Sequence, residues 1–171
     1  MTGQSVEFAA PWGALLKGVT GLSTVILVGV PLIGMLTGPR GEIGWFLSMV
    51  VLPLAILVGA AFFSIRGYVL TAETLIVKRV GWTSCVNLAD LRSAETHQNA
   101  MSWSIRTCGN GGLFCFAGRF WNRKLGSYRA FATDPKRSVV LRFEDHSVVV
   151  TPDNPEAFVA RVRKLRSLGV T

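Results

Sequence analysis

Two rhythms of apolar and polar residues divide the chain. Across residues 18–36 and again across 43–65 nearly every position is apolar, whereas after Arg66 the apolar residues come in short runs that alternate with polar ones. Runs of 19 and 23 residues match the roughly 20 needed to cross a ~30 Å hydrocarbon core as a helix. The pattern therefore predicts two transmembrane helices over about 15–37 and 43–65, joined by a tight turn at Thr37-Gly38-Pro39-Arg40-Gly41. Pro31 and Pro53 fall inside the runs, where a membrane helix tolerates them as kinks, and Gly29, Gly34 and Gly59 suit close helix contact. The first run outlasts the apolar core of about 7–15 residues of a secretory signal, and a turn follows it in place of a small-residue cleavage site.

After Arg66 the short runs read as strands over about 67–71, 74–80, 84–88, 93–98, 101–108, 112–120, 127–133, 139–143 and 147–150. The hairpin of 101–108 with 112–120 carries the clearest turn signal, since Asn110-Gly111 supplies the positive φ angles of a two-residue type I′ turn. That register sets Cys108 opposite Leu113 and Cys115 opposite Arg106, so the sulfurs do not pair. Trp103 and Ile105 on one arm, with Phe114, Phe116 and Phe120 on the other, give the hairpin an apolar face. A helix closes the chain: Asn154 is its N-cap, Pro155 opens its first turn, and Glu156 favours the positive end of its dipole. Phe158, Val162 and Leu165 form its inward stripe, with Arg161, Arg163, Lys164 and Arg166 around the rest. The fold class is thus a two-helix transmembrane hairpin (1–66) followed by a mostly β barrel domain (67–171) with a C-terminal amphipathic helix.

That order of elements resembles the bacterial pleckstrin-homology-like (PH) domain family, whose members hang from one or more transmembrane helices. The resemblance covers residues 66–165. It rests on Gly67-Tyr68-Val69-Leu70-Thr71 at the exit from the second apolar run and on the stretch 109–119, which begins Gly109-Asn110-Gly111-Gly112. The third and most specific part is Val150-Thr151-Pro152-Asp153-Asn154-Pro155-Glu156-Ala157-Phe158, which leads into the last helix. It implies a barrel plugged by a helix and a membrane setting, and it brings no catalytic residues.

Charge adds a direction. Of 18 Lys and Arg, 16 lie from Arg66 onward, together with 8 acidic residues, so this part of the chain holds the entire excess of +8. Lys17 precedes the first run, Arg66, Lys78 and Arg79 follow the second, and Arg40 stands alone between them; basic residues near span ends favour the cytoplasm. The expected setting is a cell-membrane protein with two spans and both termini cytoplasmic. Cys85, Cys108 and Cys115, odd in number and without metal-ligand spacing, fit reduced cytoplasmic thiols packed in a β core.

Little in the sequence carries reaction chemistry. His97 and His146 stand apart, and Glu144-Asp145-His146 reads as solvated hairpin charge. Ser102 and Ser104 lack triad partners, no phosphate loop, HExxH or CxxC pattern occurs, and no cofactor is expected. The expectation is a non-enzymatic protein. Its candidate contact site is the basic turn Arg119, Trp121, Arg123, Lys124 and Arg129, interleaved with Phe120 and Tyr128 and set between Gly118 and Gly126. Two functions fit: a scaffold or accessory subunit for protein partners or for a second copy of the chain, or a module that binds anionic lipid headgroups or another small anion. Membrane lipids are expected partners in both, and nucleic acid in neither. Two spans without an intramembrane charge offer no ion path unless the chain oligomerises.

Overall fold

The computed structural model describes residues 5–39 and 41–168, with side chains as far as Leu165; Arg40 and the side chain of Arg166 lie outside the described residues. Helix α1 (Ala14–Thr37) and helix α2 (Ile43–Phe62) have 24 and 20 residues, so they measure about 36 and 30 Å at 1.5 Å per residue. Their apolar side chains mostly face outward, as with Leu36, which is 82% exposed. The second helix stops at Phe62, short of the expected residue 65, because Ile65 already belongs to a strand and is buried in the β core. Helix α1 runs unbroken through Pro31, whereas Pro53 follows a π-helical turn, Leu47–Val51, in which Leu52 N–H reaches back to Leu47 O. The wider turn relieves the crowding a proline ring imposes on the preceding carbonyls. Of the three glycines expected at helix contacts, Gly34 has the role: a Cβ there would come within 3.2 Å of Met49 Cβ, while Gly29 and Gly59 face open space.

Among the described residues ten strands form two sheets. The first has the order β1 (Val6–Ala9), β2 (Ile65–Leu70), β3 (Thr74–Arg79), β4 (Thr83–Asn87). The second has the order β5 (Leu91–Thr96), β9 (Val139–Phe143), β10 (Ser147–Val150), β8 (Gly126–Ala132), β7 (Phe116–Asn122), β6 (Ile105–Gly111). Among the described residues no ladder joins the sheets, so the β domain is two unclosed sheets around a shared core rather than a continuous barrel. Strand β1 has no counterpart in the sequence reading. It precedes α1 yet pairs with β2, which follows α2, in the register Val6↔Leu70 to Ala9↔Gly67.

The core between the sheets gathers Leu70, Leu75 and Val77 from the first and Phe131, Leu141 and Val150 from the second. Helix α3 (Pro155–Leu168) covers the seam between the β1 and β5 edges. Its Asn154 cap accepts from Ala157 N–H (3.0 Å), Phe158 is fully buried edge-on to Phe8, and Arg163 donates to Ala94 O on β5 (3.4 Å). A polar knot ties the sheets together: Tyr68 O–H donates to Phe131 O (2.6 Å) and accepts from Thr151 N–H (3.2 Å). Thr151 Oγ1 accepts from Thr133 N–H (2.8 Å), and Thr133 Oγ1 donates to Pro11 O (2.9 Å). Burial pushes the Tyr68 phenol up to about 12, so it stays a neutral donor.

The glycine-rich hairpin departs from its expected register. Asn110 pairs with Ala117 and Gly111 with Phe116, so the turn lies three residues further on, at Leu113-Phe114, closed by Gly112 N–H to Cys115 O (3.1 Å). Cys108 faces Arg119 and is exposed; Cys115 is buried, and both thiols are free. The positive φ angles of Gly109 (+109°) and Gly118 (+142°) serve a crossing of two backbones, where a Cβ on Gly118 would meet Cys108 O and one on Gly109 would meet Ala117 O. Asn110 works as a side-chain brace, Nδ2 donating to Leu113 O and Oδ1 accepting from Leu113 N–H. Strand β6 begins only at Ile105. Residues 99–104 loop across the outer face of the second sheet, placing Ala100 and Met101 over Phe120, Tyr128, Ala130, Val140 and Val149. Trp103, expected in the hairpin's apolar face, is 97% exposed.

Candidate functional site

The two ends of the β domain are built differently. At the end beside α1 and α2, backbone and side chains lock the sheets to the helices. Gly13 N–H donates to Thr133 O (3.1 Å), Thr20 Oγ1 bridges Gly112 O (3.2 Å) and Phe114 N–H (3.0 Å), and Cys115 Sγ donates to Phe63 O (3.2 Å). Gly81 in the β3–β4 turn lies against Phe62, and Trp82 packs edge-on to Phe63 at 4.6 Å.

The opposite end is an open mouth of about 460 Å³ between β4, the β9–β10 turn and the β7–β8 hairpin. Arg119 on β7 lies directly across the ladder from Arg129 on β8, and both line this mouth. Like charges directly opposite repel, so the pair concentrates positive charge on this side of the mouth, with Asp90 and Asp145 across the cavity. Arg129 lies over the Phe131 ring at 4.7 Å, a cation–π contact that fixes its stem without cancelling its charge. Two residues along from Arg119, Trp121 shares its face of the sheet and is 44% exposed. Arg123 and Lys124 follow in the turn, whose shape Asn122 sets by accepting from Lys124 and Leu125 N–H. Asp90, Asp145 and His146 occupy the other rim; Glu144 pairs with Arg92 at 2.9 Å, and His146 stacks on Phe143.

The five expected contact residues therefore fall along one hairpin, Arg119 and Arg129 in the mouth with Trp121, Arg123 and Lys124 continuing from them. Phe120 and Tyr128 do not join them. They point to the other face of the sheet, stacked at 6.0 Å under residues 99–104, where Tyr128 O–H donates to Ser104 Oγ (2.7 Å) and burial raises its pKa. Six residue steps of β7 separate Phe116, beside the helices, from Asn122 at the turn, a distance of about 20 Å at strand rise.

Arg79 is a half-buried cation outside the mouth's lining that the strand pattern hid. Its guanidinium sits 5.3–5.8 Å from the rings of Phe63, Trp82 and Phe131. Burial draws its pKa down, and the nearby Arg129 acts in the same sense. Alternation marked it only as the end of a strand, since its ring neighbours come from distant segments. The buried thiol of Cys115 is pushed up to about 11 by desolvation, which makes it a packing group rather than a nucleophile. Among the described residues no cluster of three or more His, Cys, Asp or Glu could hold a metal.

A family model described as bacterial PH domain matches residues 66–166. No curated protein and no solved structure gives a significant match. PH-like domains are in general non-catalytic binding modules.

Proposed function

The chain belongs to the bacterial PH domain family, and from that premise we propose that it is a non-enzymatic, membrane-anchored scaffold or accessory subunit whose far mouth holds an acidic segment of a protein partner. Helices α1 and α2 cross the cell membrane in this reading. Their outward apolar faces support it, since a soluble core helix would be covered by protein and only 17% and 6% of these segments are buried. The β1–β2 ladder joins the chain before α1 to the chain after α2, which supports both ends of the hairpin lying on one side. Basic residues at those ends make that side the cytoplasm.

The observation that carries the partner assignment is the Arg119–Arg129 pair midway along a hairpin that continues through Trp121 to Arg123 and Lys124, whose turn lies about 20 Å from the anchored end. Cations beside an exposed indole suit a carboxylate-rich peptide, and Arg and Trp are the side chains most often found as interface anchors. The same distance weighs against contact between Arg123 or Lys124 and the bilayer that holds this chain. A photocrosslinking residue at Trp121, activated in native membranes, should form a protein adduct that disappears with Arg119→Glu/Arg129→Glu. Adducts to lipid alone, or adducts indifferent to the charge reversal, would overturn the assignment.

A further inference from the structure

A groove of about 890 Å³ lies on the outer face of the second sheet, away from the far mouth. One wall is the first turn of α1, Ala14 and Leu15; the other comprises Phe116, Arg106 and Lys136, with Trp103 at the rim. Its depth is set by α1. Lys17 stands one turn further along, and the uncharged run begins at Gly18, so the groove opens at the headgroup level, a layer of roughly 5–8 Å outside the hydrocarbon.

Its chemistry follows the same axis. Leu15, 60% exposed, and Phe116 give an apolar side that continues along α1 toward the acyl region. Arg106 folds back along β6, Nη1 donating to Gly109 O (3.1 Å), and keeps its other donors available. Lys136 makes no ion pair among the described residues. The carboxylate in the wall, Asp134, is already engaged, accepting from Lys136 N–H (3.2 Å) and pairing with Arg137 at 3.5 Å. Trp103 holds φ at +56°, a conformation uncommon for a bulky residue, with its indole almost wholly free of protein. An indole at headgroup level is an interfacial anchor.

We propose that this groove binds an anionic membrane phospholipid, its phosphate between Arg106 and Lys136, its glycerol and upper acyl chain along Leu15 and Phe116, and Trp103 over the headgroup. The inference rests on the membrane-crossing reading of α1 and α2 but not on the partner at the far mouth. Native mass spectrometry of the full chain in detergent, titrated with phosphatidylglycerol or phosphatidylcholine, tests it. Phosphatidylglycerol should be retained in preference, and Arg106→Gln/Lys136→Gln should weaken that binding roughly tenfold or more, as loss of two lipid-facing cations requires. Arg123→Gln/Lys124→Gln removes the same charge at the far end and should leave retention unchanged. Lys136→Gln alone keeps the test intact if the double variant misfolds. Equal retention of the two lipids, no effect of the groove substitutions, or an equal effect of the far-end pair would each overturn the proposal. Release of the chain from membranes by alkaline carbonate would instead remove the membrane reading itself.

Discussion

The two ends of the β domain, some 20 Å apart along β7, differ in how their polar groups are used. Beside the helices, Gly13 bonds to Thr133, Thr20 to Gly112 and Phe114, and Cys115 to Phe63. At the far mouth Arg119 faces Arg129, and the acids Asp90 and Asp145 stand across a gap. One end has the bonding of a structural joint, and the other sets two like charges side by side. Substitutions near the joint should therefore cost stability, while those at the mouth should cost only binding.

The largest effect should come from the plug of the seam. Phe158→Ala empties a fully buried site beside Phe8 and should destabilise the chain by about 3–5 kcal/mol, measured by denaturant unfolding in detergent. A loss below about 1 kcal/mol would mean that α3 is not part of the core.

The Tyr68 knot should respond to alkali. Its folded pKa lies at about 12, above the ordinary value of 10.0, so the folded state holds this proton more tightly than the unfolded one. Its stability is intact below pH 10 and should fall as pH rises from 10 to about 12, by up to roughly 3 kcal/mol at 1.36 kcal/mol per pH unit. Cys115, raised from 9.0 to about 11, acts in the same sense over a lower window. Tyr68→Phe should remove the upper part of the alkaline loss and keep the lower part. An unchanged pH profile in that variant would show that the phenol does not titrate as placed.

A smaller effect is expected where helix and hairpin meet. Thr20→Val deletes the bridge to Gly112 O and Phe114 N–H and should cost about 0.5–1.5 kcal/mol per bond lost, with faster hydrogen exchange at Phe114. Unaltered exchange there would break the contrast between the ends. The smallest change belongs to the mouth: Arg119→Ala relieves the repulsion from Arg129 and should leave stability unchanged or raise it by about 0.2–1 kcal/mol. A clear destabilisation would mean that Arg119 holds the fold together.

The elements were more legible than their faces. Strand periodicity, the two apolar runs and the Asn154 cap located most strands and all three long helices, because each depends on residues close in sequence. The turn falls at Leu113-Phe114 rather than Asn110-Gly111, because a glycine with positive φ marks a backbone crossing as well as a turn. What fixes the true tip is Thr20, 92 residues from Gly112. The facing of Phe120 and Tyr128 is hidden from the sequence, because alternation gives no unique inside when both faces of a sheet are covered, as here by the shared core and by residues 99–104. The Arg119–Arg129 pairing, by contrast, follows from the short β7–β8 turn alone. Strand β1 offered only Val6-Glu7-Phe8-Ala9, too few residues to stand out.

The position of β1 also orders events in time. Val6 leaves the ribosome 64 residues ahead of its partner Leu70, a wait of roughly 3–13 s at ~5–20 residues per second. Both hydrophobic segments emerge during that interval. If the two segments cross the membrane as proposed above, the first strand can dock only after the second segment has returned the nascent chain to the side where the first began, and completion of the sheet would then act as a latch that registers insertion of the pair.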